Sequence, residues 1–296
     1  MLQSGIDQLL QCPCCLSQSF QEVLSLDNKR KKNSYSEYSK KYYQKFLDQF
    51  PFDKVVLVKC NKCLHLFYQY QPSETFLNEM YSIHKKNKIK NLNFIDEKKV
   101  KKARKLLSKI LNLSKCKTLL DFGSGSGYLK DISAEFNLDY YGYEPSKERN
   151  LILSENNIFS NFDDLSRKNI KFDIIIINQV LEHIKNPLFV MRDIKNLCHS
   201  NTIIYVSVPN FNRSKEGSKF FDSWPYDPKF NHHKLAPFQH LHCFNTYSLF
   251  KLMNNSGFKM KLDFKTILDQ NIFILRILLG LVIKKISTTD IIFELK

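Results

Sequence analysis

Residues 118–127 read TLLDFGSGSG. A strand-like run, Thr118–Leu120, reaches an acid, Asp121, and then a loop with glycine at 123, 125 and 127. Glycine admits positive φ and lets a ligand come close to the backbone. A helical pattern opens at once with Tyr128, Leu129 and Ile132. The next strand, YYGYE at 140–144, ends on Glu144. An acid about 20 residues past a glycine loop can accept from both hydroxyls of a ribose. Strand, glycine loop, helix and acid-terminated strand together form a nucleoside-binding βαβ unit.

The details narrow the ligand. A dinucleotide loop wants a small residue where its helix packs on the strand, and here that place falls to Tyr128 or Leu129. Asp121 would repel a pyrophosphate and suits a ligand with an ammonium group and a sulfonium. The stretch Asp121–Gly127 resembles motif I of class I S-adenosylmethionine-dependent methyltransferases, D-x-G-x-G-x-G. The resemblance implies an α/β fold, a Rossmann-like sheet with helices on both faces. It implies S-adenosylmethionine as cofactor, held by Asp121, Gly123, Gly125, Gly127 and Glu144.

Three regions follow from composition. Residues 1–80 carry five of the eight cysteines, residues 81–115 are a basic helical connector, and residues 116–296 alternate strand and helix patterns. In the last region the periodicity predicts a helix over 146–156, a short strand at Ile158 and an acidic turn at Asp163–Asp164. FDIIIIN, 172–178, is a continuous β-branched run, as expected of a strand covered on both faces of a parallel sheet. A helix follows from Pro187 to Cys198, and TIIYVSV, 202–208, is a second buried strand stopped by Pro209.

Cys12 and Cys15 form one CxxC, with Cys14 inside it, and Cys60 and Cys63 form another. Two such turns can place four thiolates about 2.3 Å from a single zinc ion. The loop between the pairs is longer than in compact zinc patterns. Zinc turns of this kind commonly place glycine after the second cysteine, and here Leu16 and Leu64 stand there. Cys14 and His65 are alternative ligands. The surrounding segment, VVLVKCNKCLHLFYQYQPSETFLNEMY at 55–81, resembles the zinc-ribbon-like module that precedes the catalytic domain in a group of bacterial methyltransferases. The likeness continues through QVLEHIKNP (179–187), VPNF (208–211), HLHCFN (240–245) and the turn Gly257–Phe258. It implies a structural zinc on Cys12, Cys15, Cys60 and Cys63. That group includes enzymes that methylate sugars on carbon or oxygen.

By the same resemblance, Asn178 and Gln179 lie near the methionyl part of the cofactor. Phe162 lies against its adenine, and Asp163 reaches the adenine amino group, with Asp164 as the competing choice. A hydroxyl or carbon nucleophile must lose a proton, and histidine titrates near neutrality. His183, next to the end of the 172–178 strand, and His240 are the catalytic candidates; His242, Glu182 and Tyr226 stand behind them. The stretch SWPYDPKFNHHKLAPFQHLHCF, 223–244, has the aromatic, proline-broken character of a substrate lid, with Trp224 available for stacking.

The formal charge is +16, much of it in Lys29–Lys54 and Lys85–Lys109. Such stretches read either as solvated faces or as a patch for an anionic partner. The most apolar run, Ile272–Ile283, contains Arg276 and is shorter than the ~20 residues a spanning helix needs. It is expected to be a buried element or a peripheral membrane contact. No secretory leader pattern is evident, so the expected location is cytoplasmic, with reduced cysteines. The expected partner is a small, sugar-type acceptor. Nucleic acid is the second reading, set against the sequence NQVL at 178–181, where a base-flipping enzyme resembling known ones would carry an NPPY-like tetrapeptide.

Overall fold

The computed structural model describes residues 5–27, 54–77, 97–112, 115–146, 157–211, 240–261 and 288–296. Its centre is a seven-stranded sheet. In chain order the strands are β6 (Thr118–Phe122), β7 (Asp139–Tyr143), β8 (Ile158–Phe159), β9 (Phe172–Asn178), β10 (Cys198–Pro209), β12 (Phe258–Met260) and β13 (Thr288–Leu295). The spatial order is β12-β13-β10-β9-β6-β7-β8. The five strands from β8 to β10 are parallel, while β13 runs antiparallel to both β10 and β12. This is a Rossmann-like sheet with helices on both faces, as expected from the sequence.

Side chains alternate across a strand with period two, and here both faces are apolar. Leu119, Ile174, Ile176, Ile203 and Tyr205 point to one face, where they meet α1 (Glu97–Leu111) and α2 (Tyr128–Glu135). Leu120, Phe122, Ile175, Ile177, Ile204 and Val206 point to the other. There they meet α3 (Phe162–Arg167), α4 (Pro187–Lys195) and α5 (Thr246–Asn255). This explains the unbroken isoleucine run of β9, whose Ile174–Ile177 are all at most 1% exposed. In α1, Ala103, Leu107 and Ile110 recur at helical spacing and are buried. The lysines of this helix flank that stripe, and Arg104 grips Glu135 of α2 with two bonds of 2.7 and 2.6 Å.

Local signals account for the helix starts. Pro187 occupies the first turn of α4, where its missing N–H costs nothing. Asn245 and Ser248 form a reciprocal capping box at α5. The acidic turn expected at Asp163–Asp164 is instead the first turn of α3. Asn161 caps it by accepting from the Asp163 amide at 2.8 Å, and an acid pair at a helix N-terminus favours the dipole.

The N-terminal region folds as two further sheets. One pairs β1 (Ile6–Gln8) with β5 (Tyr70–Pro72). The other has the order β11-β4-β3-β2, with β2 Phe20–Asp27, β3 Lys54–Cys60 and β4 Leu66–Tyr68. Its fourth strand, β11 (His242–Cys243), comes from the far end of the chain. Cys12, Cys14, Val56, Val58 and Phe67 share one apolar cluster with Leu188, Leu249 and Leu252 of α4 and α5.

The helix expected over 146–156 falls outside the described residues after Ser146, as do Trp224, Tyr226 and the Ile272–Ile283 run. So do residues 29–53 and 85–96 of the two basic stretches. Among the described residues no helix is long and apolar enough to cross a membrane.

Candidate active site

Strand β6 has β7 on one side and β9 on the other. In open α/β sheets a ligand crevice opens beyond the strand ends at such a reversal. The glycine loop leaves β6 there, and Asn178 and Gln179 leave β9 beside it. Gly123, Gly125 and Gly127 have φ of 82°, 60° and 71°, the left-handed region that favours glycine. Gly123 is held by more than its φ. A Cβ at this position would stand 2.4 Å from Val180 Cγ2. The two loops that frame the crevice therefore touch.

Glu144 is 5% exposed. One carboxylate oxygen accepts from the Gly125 amide and the other from the Ser146 amide, both at 3.0 Å. These bonds fix the carboxylate plane at the edge of the glycine loop. Asp121 is 3% exposed and accepts from the Tyr140 hydroxyl at 3.1 Å. Burial pushes its carboxyl up to about 7, the Tyr140 bond opposing and nearby Glu144 adding to the rise. A buried acid in that condition is relieved by a cation.

On the other side, Asn178 donates to the Tyr128 hydroxyl at 3.2 Å, tying the end of β9 to the start of α2. Gln179 holds a φ of 57°. Its amide donates to the Ser207 carbonyl at 2.8 Å, and its side chain donates to the Ser207 hydroxyl at 3.2 Å. Ser207 in turn donates to Asp290 of β13 at 2.6 Å. Phe122 and Tyr143 stack at 4.7 Å between ring centroids, and Phe162 meets both edge-on. Asp163 is exposed, whereas its rival Asp164 is engaged by Arg167 at 2.8 Å.

Beyond Gln179, a single 3-10 turn, Leu181–His183, carries Glu182 and His183. The Glu182 carbonyl accepts from the Leu241 amide at 2.8 Å, which brings His240 to the same place. The His183 and His240 rings lie 4.8 Å apart, nearly edge to face. Glu182 is 1% exposed, and neither carboxylate oxygen has a hydrogen-bond partner among the described residues. Burial pushes its carboxyl up to about 8. The two histidines singled out from the sequence thus meet around an acid that sequence reasoning ranked behind them.

His242 is structural. Its Nδ1 and His65 Nε2 are 3.2 Å apart, and its Nε2 donates to the Ile184 carbonyl at 2.8 Å. Burial holds its imidazole down to about 4 and that of His65 well below the usual range. With Ile184 accepting from Nε2, Nδ1 must accept from His65. His65 Nε2 is engaged in this pair, and His65 is not among the four residues whose ligand atoms converge in the cysteine cluster.

The cysteine sulfurs of Cys12, Cys15, Cys60 and Cys63 gather within 4.8 Å of one another. Cys12 and Cys63 are 3.5 Å apart and Cys15 and Cys60 are 3.6 Å apart. Zinc–sulfur bonds of about 2.3 Å in a tetrahedron put sulfurs about 3.8 Å apart, so the donor set fits zinc. Cys14 is buried beside Cys12 but is not one of the four converging residues, and its carbonyl accepts from Asn255 of α5 at 3.1 Å. Leu16 and Leu64, which depart from the glycine pattern, adopt its geometry with φ of 60° and 57°. The turns close as they would with glycine: Leu16 donates to the Cys12 carbonyl at 2.8 Å and Leu64 to the Cys60 carbonyl at 3.0 Å.

Sequence reasoning missed Val180, Ser207 and Asp290. Val180 sits inside the quoted motif, yet only its contact with Gly123 shows its role. Asp290 lies on a strand far along the chain, and no spacing signal links it to Gln179.

Residues 95–261, more than half of the chain, match a family model described as a methyltransferase domain. No curated protein matches the sequence. Solved structures that the chain matches include an S-adenosylmethionine-dependent methyltransferase from Archaeoglobus fulgidus, at 15% identity over 64% of this chain and 94% of that one, TM-score 0.42. Another is magnesium protoporphyrin IX methyltransferase from Synechocystis PCC 6803 with bound SAH, at 13% identity over 76% and 100%, TM-score 0.48.

Proposed function

We propose, from the premise that the chain belongs to the methyltransferase-domain family and is an S-adenosylmethionine-dependent methyltransferase, that it methylates a small acceptor, a nucleotide-linked or glycan sugar, on oxygen or carbon. The observation that carries the cofactor assignment is the crevice between the ends of β6 and β9. Gly123 there packs on Val180, and Glu144 is oriented by two loop amides.

S-adenosylmethionine supplies a methyl group on a sulfonium, so the protein's task is chiefly alignment. Glu144 would accept from the ribose hydroxyls. Asp121, buried and ready to ionise beside a cation, would face the positively charged methionyl end. Gly123, Gly125 and Gly127 let the backbone approach, and Asn178 and Gln179 line the far side. Phe162 and Asp163 would hold the adenine. Gln179 cannot drift, because Ser207 and Asp290 anchor it. The turn after β9 then presents His183 and His240, with Glu182 beneath them, to the acceptor. An imidazole in that position can take the acceptor's proton.

The cysteine cluster would hold one structural zinc, remote from the reaction. The enzyme would work in the cytoplasm. The sugar assignment is supported by the likeness of the 55–81 segment to the module found in sugar methyltransferases. The +16 charge favours a second reading, a nucleic-acid acceptor. A turnover assay with labelled methyl donor against nucleotide-sugars, glycans and tRNA separates the two. Sugar methylation is the expected result, and transfer to tRNA alone would overturn the acceptor reading.

A further inference from the structure

We propose that Glu182, His183 and His240 form a second metal site, built for an octahedral divalent cation of the Mn2+ or Fe2+ kind, which holds the acceptor. This rests on the functional reading above, in which the turn after β9 faces the acceptor.

The strongest observation is Glu182. A carboxyl group this deeply buried is ordinarily hydrogen-bonded or paired. Glu182 is 1% exposed, and neither oxygen finds a donor among the described residues. Protonation does not resolve this, because a neutral carboxylic acid still needs a partner for its O–H. His183 Nε2 is 3.8 Å from Glu182 Oε1, too far for a hydrogen bond. One ligand atom from each of Glu182, His183 and His240 nevertheless lies within 4.8 Å of the others. That convergence of three ligand atoms around a buried carboxylate is the arrangement a bound ion requires.

A cation meets every demand of the cluster at once. Two imidazoles and one carboxylate on one face of an ion leave its remaining positions open, a donor set suited to octahedral first-row cations. Nitrogen and oxygen ligands sit about 2.1 Å from such ions, so neighbours in an octahedron are about 3 Å apart. Small rotations of the two imidazoles would close the present spacing. The His183 side chain is 31% exposed, so the open positions face solvent, where an acceptor arrives. Glu182 supplies the fixed wall, since the Leu241 amide binds its own carbonyl and clamps the turn.

The site also differs chemically from the cysteine cluster. Soft thiolates select zinc, and a carboxylate with imidazoles accepts harder cations. An ion held here would bind an acceptor oxygen and make its proton easier to lose. The methyl group passes from sulfur to that oxygen, the sulfonium becomes a neutral thioether, and the proton goes to water, the imidazoles then serving as ligands in place of the base role given them above.

The test uses the full chain with its cysteine cluster loaded with zinc. Mn2+ is titrated in, and free Mn2+ is read by electron paramagnetic resonance. The expected result is one Mn2+ per chain at micromolar to submillimolar concentration, weakened at least tenfold by Glu182→Gln, His183→Ala and His240→Ala. Glu294→Gln, a surface acid paired with Lys259 and Lys261, should leave it unchanged. Pulsed resonance of the bound ion in the unaltered protein should show coupling to histidine nitrogen, a readout that needs no variant to fold. No Mn2+ uptake, uptake unaffected by Glu182→Gln, or bound Mn2+ without nitrogen coupling would each overturn the proposal. A pure proton relay would give the first of these. Cofactor binding, measured by calorimetry in parallel, separates the failures. Binding of S-adenosylmethionine without Mn2+ sinks only the metal site. Mn2+ without S-adenosylmethionine sinks the functional reading.

Discussion

Replacing Gly123 with alanine puts two distinct costs on one residue, and the structure allows them to be separated. The backbone at 123 has φ of 82°. A residue with a Cβ pays about 1–2 kcal/mol in the left-handed region. The added methyl would also stand 2.4 Å from Val180 Cγ2, far inside contact distance. Overpacking of this kind costs about 1–3 kcal/mol. Gly123→Ala should therefore destabilise the protein by about 2–5 kcal/mol in urea unfolding. Val180→Ala removes the opposing methyl groups and leaves the backbone cost in place. The double variant should recover the steric part, so the two substitutions should couple by about 1–3 kcal/mol in a double-mutant cycle. Cofactor affinity should follow the same pattern, because both residues frame the crevice. Additive effects, or a Gly123→Ala protein within about 0.5 kcal/mol of the parent, would refute the claim that the two loops are locked together.

Glu144→Ala should weaken S-adenosylmethionine binding by about 1.5–3 kcal/mol, the range for hydrogen bonds to a charged group; unchanged affinity in calorimetry would remove Glu144 from the ribose site. Asp121 carries a pH signature. Its carboxyl is raised from the ordinary range to about 7 in the free protein, so the free folded state holds a proton that the unfolded chain has already lost. Stability should accordingly fall as pH rises from about 4 through 7, while affinity for the cationic cofactor should rise through about 7 and level off. Asp121→Asn should flatten the affinity profile, and a profile that keeps its slope would count against the assignment. Metal analysis should find zinc in the cysteine cluster, lost with much of the stability in Cys60→Ser; a stable, zinc-free parent protein would contradict this. Leu64, 39% exposed with φ of 57°, should gain about 0.5–1 kcal/mol on replacement by glycine, the left-handed strain relieved less the glycine entropy cost. A loss of stability would mean that its side chain matters more than its backbone.

The central sheet is legible in the sequence because its signals are local. The isoleucine run of β9 needs two covered faces, and the Asp121–Gly127 loop needs three left-handed residues. The four cysteines are legible for the same reason, since each pair sits on one short turn. Glu182 is the instructive case. Its type and position are plain, but its burial depends on Leu241 returning across the turn from 59 positions later in the chain, a contact that no local pattern encodes. Asp290 is invisible for the same reason. His65 and His242 show the reverse error: each lies next to a chemical motif and invites a chemical role, whereas burial has turned them into a neutral pair.

Strand β11 belongs by sequence to the catalytic half and by hydrogen bonding to the cysteine half. His242 and Cys243 pair with Phe67 and Leu66, Leu241 accepts from Tyr68 and Gln71, and His242 reaches Ile184. The two halves are thus not interchangeable parts. A chain cut after residue 80 would lose the strands that hold Leu241, and with them the segment that carries His240 to Glu182. A graft of the N-terminal half onto another methyltransferase would have to bring its matching strand from the distant end of the chain. The two ends of the chain therefore stand or fall together, as if they were one continuous module.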